Sequence, residues 1–563
     1  MPLGDRDMSE VLEFGSVRGV LESAVLDDAH IGDIHGAFGT IRHDDLGPRT
    51  NWRARGATLL AILGPGLIVM VGDNDAGAFG TYTQAGQNYG TTLLWTLMLL
   101  IPVLYVNQEM VLQLGAVSGV GHARLILERF GKFWGAFSVI DLFLLNSLTI
   151  VTEFIGISLA LDYLGLPKNT GVITSALLVM IAVSTGNFRR FERFSMFLVF
   201  GSLLLVPVIV MVHPPMLQLV RDFTVPQLPK GAPLSDVMLL IIAIVGTTVA
   251  PWQLFFQQSY VVDKRITPRF IKYERTDLWF GIALVMIGAI AMMGFAAEIF
   301  AGHPEAGNFT DAGAVAAGLE KYAGKLPAVL FALALIDACI IGAAAVSLAT
   351  AYALGDVLSL RHSLHRKPAE AKGFYGVYFG LIVFAAFLVL TPGTPLGLLT
   401  NAVQTLAGVL LPSATVFLLL LCNDRAVLGP WVNSARLNIF TSSIIAILVM
   451  LSMILTLSVL FPGIDETTIL GILIGGSCLA IIVAIAIKLA QRKSGGADAE
   501  DADAALYEHR KHRRDLWRMP PLDRLPPARL TTLNRVWLVV LRAYLVVAAG
   551  LVLIRIVTLA IGS

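Results

Sequence analysis

Two carboxylates, Asp73 and Asp75, stand in the middle of the first long apolar stretch, which reads Gly64-Pro-Gly-Leu-Ile-Val-Met-Val-Gly-Asp-Asn-Asp-Ala-Gly-Ala-Phe-Gly80. A charge near the middle of a bilayer is costly unless it faces a cavity or a partner. The glycines around the acids lower the cost of leaving the helix, and a broken helix frees backbone carbonyls that need a ligand. Carboxylate and carbonyl oxygens bind hard divalent cations. We therefore predict a helix that is broken here to bind a cation.

A second break is predicted in a later apolar stretch, Ile244-Val-Gly-Thr-Thr-Val-Ala-Pro-Trp-Gln-Leu-Phe-Phe256. Pro251 has no N–H and its ring clashes with the preceding turn, so the carbonyl of Thr247 loses its helical partner and becomes a candidate ligand. An ordinary proline kink between packed helices explains this break equally well. It does not explain the two carboxylates in the first break.

The composition is that of an integral membrane protein. Hydrophobic residues make up 56% of the 563 positions and charged residues only 14%, far from the balance of a soluble globular chain. The net charge of +1 argues against a nucleic-acid partner. The cysteines Cys339, Cys422 and Cys478 all fall in apolar runs, which indicates small core residues rather than a disulfide or metal framework.

Windows of about 20 apolar residues predict twelve membrane spans, with the breaks in spans 1 and 6. The predicted spans are 56–86, 91–115, 134–163, 170–185, 194–213, 235–261, 277–300, 327–356, 374–391, 396–422, 437–461 and 467–489. A further apolar run at 536–560 contains two arginines and is either a thirteenth span or an interfacial helix.

Spans 1 and 6 each open a group of five spans. Because five is odd, the second group enters the membrane from the opposite side, which predicts an inverted repeat with a transport site at the two breaks. The predicted organisation is a soluble, flexible N-terminal arm (1–52), a first repeat (53–215), a second repeat (216–424), two further helices (425–490), a polar linker without a core (491–534) and the last apolar run (535–563).

Basic residues concentrate in the loops that follow the even-numbered spans. By the positive-inside tendency, these loops and the N-terminus are predicted to be cytoplasmic, in a multi-pass protein of the cell membrane. Two acids near predicted span ends, Asp141 and Asp277, are expected to be exposed at the membrane interface. A multi-pass protein has the lipid bilayer as an expected partner. The basic loops are interpreted as topology signals rather than binding surfaces.

Over residues 55–490 the chain resembles the Nramp family of divalent-metal transporters, whose members carry Asp-Pro-Gly-Asn in helix 1 and Met-Pro-His in helix 6. The flanking residues align Asp75-Ala-Gly-Ala78 with the first motif and Ala250-Pro-Trp252 with the second. Gln404 matches the family's glutamine in helix 10, and Glu153 matches a glutamate in helix 3. The resemblance implies an all-α polytopic protein with a leucine-transporter-type 5+5 inverted repeat, broken helices 1 and 6 and extra C-terminal helices.

The departures from the family motifs bear on the metal. Ala250 stands in place of a methionine, whose soft thioether helps to select transition metals. The remaining candidate ligands are hard oxygen donors, which suit Mg²⁺ or Mn²⁺. Magnesium gives up its water reluctantly, and the small side chains of Ala78 and Ala250 leave room for a partly hydrated ion.

Other departures remove titratable groups. Trp252 and Gln257 each replace a histidine, the side chain that titrates most readily near neutral pH, and Ile150 replaces an aspartate of proton-coupled members. Together these changes resemble the Nramp-related magnesium transporters, a branch for which passive Mg²⁺ uptake is implied. Glu153 is then either a residual proton acceptor or a neutral, hydrogen-bonded structural acid.

The candidate metal-site residues are Asp73, Asn74, Asp75, Ala78, Thr247, Ala250, Trp252 and Gln404. Asp73 is either a ligand or a protonated or outer-shell group, because two unpaired acids repel each other. Asn74 either binds the ion or stabilises the unwound backbone. Trp252 either lines the pocket or fills a helix interface, and Gln404 either contacts the ion through water or bonds another helix.

The sequence favours a carrier that moves Mg²⁺, with Mn²⁺ as a second substrate, by alternating access and without protons. The metal is the transported substrate, and neither catalytic chemistry nor a cofactor is expected. Two alternatives stay open: a proton-coupled Mn²⁺/Fe²⁺ importer of the ordinary Nramp type, and an organic-substrate carrier that shares only the fold.

Overall fold

The computed structural model describes residues 23–45, 47–392, 403, 407, 412–460, 467–478 and 514–528, together with positions 538, 541, 546 and 550. Helices dominate this part of the chain. A two-stranded antiparallel hairpin near the N-terminus, β1 (Ile34–His35) and β2 (Thr40–Ile41), pairs Ile34 with Ile41.

The first half of the chain contains nine helices in the described residues. They are α1 Trp52–Ile62, α2 Pro65–Val71, α3 Ala76–Tyr89, α4 Trp95–Ser118, α5 His122–Phe130, α6 Lys132–Tyr163, α7 Lys168–Val183, α8 Phe188–Gly201 and α9 Leu205–Val212.

The second half continues the pattern. Its described helices are α10 Met216–Thr224, α11 Leu234–Thr248, α12 Pro251–Asp263, α13 Ile271–Phe300, α14 Ala312–Ala323, α15 Lys325–Leu358, α16 Lys372–Leu390, α17 Pro412–Cys422, α18 Arg425–Leu428, α19 Ala435–Leu460 and α20 Thr467–Cys478.

Each of the twelve predicted spans overlaps at least one helix of the described residues, although parts of spans 10 and 12 lie outside them. Eight spans are long and apolar enough to cross a membrane, and α1 with α2 makes a ninth that is bent by 47°. Shorter apolar helices, α7, α17 and α20, stand at predicted spans 4, 10 and 12. The chain is therefore a multi-pass helical membrane protein, as predicted. The run 536–560 falls almost entirely outside the described residues.

Helices α6 and α15 form the centre of the bundle, since 78% of the apolar window of each is buried. A helix that is apolar on all sides belongs in such an interior. Next to them, α13 packs backbone to backbone against α2: a Cβ on Gly281 would lie 2.5 Å from the carbonyl oxygen of Gly66. This close approach brings α13 against the first break.

Two predictions about the chain termini need correction. The expected flexible arm is wrong for residues 24–41, because Ala24, Ile34, Ala37 and Ile41 are all buried against the bundle. The expected linker is wrong for residues 514–528: Met519 is fully buried, and its backbone N–H donates to the carbonyl of Val117 at 3.1 Å. Packing against the bundle replaces the core that these polar segments lack.

Candidate functional site

The first predicted break is present. Helix α2 ends at Val71, α3 begins at Ala76, and the residues from Gly72 to Asp75 are non-helical. Asp75 caps α3, because a carboxylate oxygen accepts a hydrogen bond from the backbone N–H of Ala78 at 2.9 Å. Aspartate is a favoured N-cap residue, so the acid is held at a helix start, where the helix dipole also stabilises negative charge.

Asp73 is only 1% exposed. One of its carboxylate oxygens accepts a short hydrogen bond from the side-chain amide of Gln253, and the other has no partner within the described residues. The amide oxygen of Gln253 in turn accepts from Gln108 at 2.9 Å. A chain of two neutral amides therefore runs from α4 through α12 to Asp73. It orients the carboxylate without neutralising its charge.

Neither Asp73 nor Asp75 forms an ion pair with a described lysine, arginine or histidine. A buried carboxylate without a cationic partner is costly. Within the described ranges, no three His, Cys, Asp or Glu side chains form a group suited to a metal ion. A cation between these acids must therefore complete its shell with neutral oxygens or water.

Asn74 lies between the two acids and faces α13. Its side-chain amide donates to the carbonyl of Val285 at 3.2 Å and approaches Gly288, where a Cβ would lie 2.3 Å from the amide nitrogen. The amide oxygen is buried and lacks a described partner. Asn74 thus stabilises the unwound backbone through its nitrogen, while its oxygen remains available to an ion.

The second predicted break is also present. Helix α11 ends at Thr248 and α12 begins at Pro251, with Ala250 in an extended conformation at φ −95° and ψ 144°. Thr247 is buried in the last turn of α11. At the next residue, the hydroxyl group of Thr248 lies 2.7 Å from the hydroxyl group of Tyr82, and this hydrogen bond joins α11 to α3. The two interrupted helices therefore meet at their breaks.

Trp252 is buried, and its ring lies against the first break: a Cβ on Gly72 would be 3.5 Å from the indole. The indole N–H has no partner within the described residues. The small side chains of Ala78 and Ala250 are buried as well. Gln404, the remaining candidate, lies outside the described residues.

Glu153 reaches this site from α6. One oxygen of its carboxyl group accepts from the backbone N–H of Ala76 at 3.2 Å, and the other is buried without a partner among the described residues. Gly342 of α15 makes room for Glu153, since a Cβ there would lie 2.9 Å from the carboxyl carbon. Ile150, one turn earlier, is fully buried.

Three residues at the site, Gln108, Gln253 and Tyr82, were not predicted from the sequence, although each places a polar group in an apolar span. The exposed position predicted for Asp277 is wrong. This residue is fully buried, and its carboxylate accepts from the backbone N–H groups of Gly64 at 3.1 Å and Gly66 at 2.6 Å. It fixes the start of α2.

A family model described as "Natural resistance-associated macrophage protein-like" matches residues 66–458, which is more than half of the chain and includes both breaks. The chain belongs to the Nramp family. Its relatives include the "Divalent metal cation transporter MntH" of Ralstonia nicotianae, 30% identical over 397 residues that cover 67% of this chain and 86% of that protein. The MntH protein of Burkholderia ambifaria is 27% identical over 412 residues, which cover 70% of this chain and 88% of that protein.

The fold of this Nramp protein is also similar to a solved structure. The crystal structure of the Eremococcus coleocola manganese transporter, in complex with an aromatic bis-isothiourea substituted compound, aligns with a TM-score of 0.63 at 20% identity. The alignment covers 83% of this chain and 99% of that one. The predicted helical fold with broken spans 1 and 6 is confirmed, and the arrangement is consistent with the 5+5 repeat.

Proposed function

We propose that this Nramp protein transports Mg²⁺, with Mn²⁺ as a second substrate, by alternating access around the two breaks and without coupled proton movement. Family membership makes it a divalent metal cation transporter rather than an enzyme. The observation that carries the proposal is the pair Asp73 and Asp75, buried at a break without a cationic partner among the described residues. A divalent ion is the counter-ion that such a pair requires.

The donor set supports a hard cation. The proposed metal-site residues are Asp73, Asn74, Asp75, Ala78, Thr247, Ala250, Trp252 and Gln404. Oxygen atoms are the only strong donors that this set offers, and Ala250 removes the soft sulfur that favours transition metals. The two alanine methyl groups leave space for the water molecules that Mg²⁺ retains. We therefore propose that the chain belongs to the branch of Nramp-related magnesium transporters.

The surroundings of the breaks support transport without protons. Trp252, Gln257 and Ile150 cannot titrate, and the amide of Gln257 is buried without a partner within the described residues. Glu153 is the remaining acid beside Asp75. We assign it a structural role, because its carboxyl group accepts a hydrogen bond from the backbone N–H of Ala76 at the start of α3.

The membrane potential can drive this uptake. A cell-negative potential contributes about 2.3 kcal/mol per charge for each 100 mV, so a doubly charged ion is drawn inward without a second gradient. We place the protein in the cell membrane with its N-terminus in the cytoplasm. Basic residues at the start of α8 and in the loops after spans 6 and 8 support this orientation, since Arg193, Arg265 and Arg366 all donate hydrogen bonds to residues 24–41.

The test is uptake of Mg²⁺ and of Mn²⁺ into proteoliposomes by the wild type and by Asp75→Ala. We expect wild-type uptake of both ions and none by Asp75→Ala. Asp337→Asn is a matched control, because this half-buried acid of α15 lies against Gly201 of α8 and makes no described hydrogen bond to either break. It should retain uptake.

Two results would decide for the alternatives. Acidification of the liposome interior that depends on the metal would show a proton-coupled importer. Uptake of an organic substrate, with no binding of Mg²⁺ or Mn²⁺ in calorimetric titrations, would show a carrier that shares only the fold.

A further inference from the structure

We infer that residues 24–41, here called the N-terminal strap, tie together the two repeats on one face of the bundle and must release for that face to open. This face, here called the basic face, is the end of the bundle at which the strap lies. It contains the loops that join α4 to α5, α7 to α8, α12 to α13 and α15 to α16, which are residues 119–121, 184–187, 264–270 and 359–371.

The strap is seated directly on the first helix of span 1. A Cβ on Gly36 would lie 1.9 Å from the carbonyl oxygen of Ala61, and a Cβ on Gly39 would lie 3.0 Å from the Cβ of Ala61. The hairpin backbone therefore contacts α1 without intervening side chains. Since α1 meets α2 at a bend of 47°, it is the part of span 1 that can swing without disturbing the ion site.

A buried ion pair lies beneath the strap. Lys264 and Glu192 are both fully buried, with 2.6 Å between the ammonium nitrogen and a carboxylate oxygen. The ammonium also donates to the carbonyls of Ile62 and Leu63 at the end of α1, at 2.5 and 2.9 Å. The other carboxylate oxygen of Glu192 accepts from the backbone N–H of Ala37 at 2.5 Å. The strap thus completes the hydrogen bonds of a pair that joins α1, α8 and the end of α12.

The beginning of the strap is anchored to the second repeat. Asp27 is buried and accepts hydrogen bonds from the guanidinium group of Arg366, the closest at 2.5 Å, and from the backbone N–H of His362 at 3.1 Å. The guanidinium group of Arg265 donates to the carbonyls of Ala29 and Asp33 at distances of 2.8 to 3.0 Å. Hydrogen bonds to charged groups are the strong ones, so the strap is bound firmly on this side.

The strap consequently connects α1 and α8 of the first repeat to α12 and the loop 359–371 of the second. Alternating access in this fold moves one group of helices against the other around a fixed site. When the basic face opens, a segment that contacts both groups has to lose some of these contacts. Charged hydrogen bonds hold the strap to Arg366 and Arg265 of the second repeat and also to Glu192 and Arg193 of α8. Its contact with α1, at Gly36 and Gly39, includes no hydrogen bond among the described residues, so the contact with α1 is the one that breaks. This inference rests on alternating access and not on the identity of the ion.

The test is a reversible lock between the strap and α1. Gly39→Cys and Ala61→Cys are combined with Cys478→Ser, because Cys478 is exposed while Cys339 and Cys422 are buried. The Cβ separation of 3.0 Å is near the span of about 3.5–4.5 Å found in disulfides. We expect oxidation to abolish Mn²⁺ uptake into proteoliposomes and dithiothreitol to restore it, while each single cysteine variant is unaffected by either reagent.

Uptake that continues in the fully oxidised double variant would overturn the inference, and so would failure of the disulfide to form. Gly36→Ala supplies a second measurement, because its methyl group has to displace the hairpin from Ala61. We expect faster modification of Ala61→Cys by a water-soluble maleimide in this variant. Gly47→Ala is the matched control, since its Cβ would meet only the side chain of Asp45, at 3.4 Å. Equal modification rates in the two variants would contradict the inference. Both readouts remain valid if the transported ion is not Mg²⁺.

Discussion

Replacement of Gln253 by leucine isolates the hydrogen bond that orients Asp73. Leucine has a similar volume and no amide, so Asp73 keeps its charge and its burial but loses its described donor. Hydrogen bonds to charged groups contribute about 1.5–3 kcal/mol. At about 1.4 kcal/mol for each tenfold change, we expect Gln253→Leu to weaken Mg²⁺ binding roughly 10- to 150-fold. Isothermal titration in detergent and concentration-dependent uptake measure the change.

The matched control is Gln257→Leu, one turn further along α12. Its amide is equally buried but has no partner among the described residues, so we expect little change in Mg²⁺ binding. Gln253→Lys should abolish binding, because its ammonium group would occupy the place of the ion beside Asp73. Equal losses in the two leucine variants would refute the positioning role of Gln253. The role would also be refuted if Gln253→Leu bound Mg²⁺ as tightly as the wild type while Asp73→Asn abolished transport.

Three further predictions follow from other contacts. Ala250→Met adds a soft sulfur and should shift preference from Mg²⁺ toward Mn²⁺ or Cd²⁺ in competition uptake; unchanged selectivity would remove the sulfur argument. Lys264→Met should destabilise the protein by about 3–5 kcal/mol because Glu192 loses its counter-ion, and adding Glu192→Leu should recover most of the thermal stability; additive losses would contradict this. Burial lowers the pKa of His362, but its hydrogen bond to Asp356, the negative charges of Asp356 and Asp263 and its hydrogen bond to the carbonyl of Leu360 together outweigh this and raise the pKa from 6.5 to about 9. The stabilisation by His362 is therefore complete below pH 6.5 and lost as the pH rises through about 9, and thermal midpoints measured from pH 6 to 10 should fall less in His362→Gln.

Local chemistry explains why the spans and both breaks could be predicted from the sequence. Long apolar windows specify the spans, and the glycines around Asp73 and the proline at position 251 act on the backbone within one turn. The acids at the first break stand out because a bilayer tolerates few charges. The break between Val71 and Ala76 and the cap by Asp75 lie where these rules place them.

The contacts that complete the site could not be predicted, because they join residues far apart in the chain. Gln253 and Asp73 are 180 positions apart, and a glutamine in an apolar span does not show which neighbour it contacts. The error at Asp277 has a related cause. Helix α2 has no side-chain cap of its own at Gly64, so α13 supplies the missing acceptor. The position of Asp277 near a predicted span end does not show that its carboxylate accepts hydrogen bonds from another helix.

The position of the N-terminal strap could not be predicted either, because its contacts also join residues far apart in the chain. Asp27 and Arg366 are 339 positions apart, and the first fifty residues are too polar to predict a buried segment by composition. Their burial depends on charged partners that later loops provide. Polar segments of this kind can be assigned to the bundle only when the loops on the same face are known.

A contact between residues far apart in the chain determines when the basic face can be finished during synthesis. The backbone N–H of Ala24 donates to the carbonyl of Met519 at 3.1 Å, so the earlier segment waits for the ribosome to reach the later one. At 5–20 residues per second, the delay is roughly 25 to 100 s. A nascent chain that has not reached position 519 lacks this hydrogen bond, so the basic face is completed only late in synthesis.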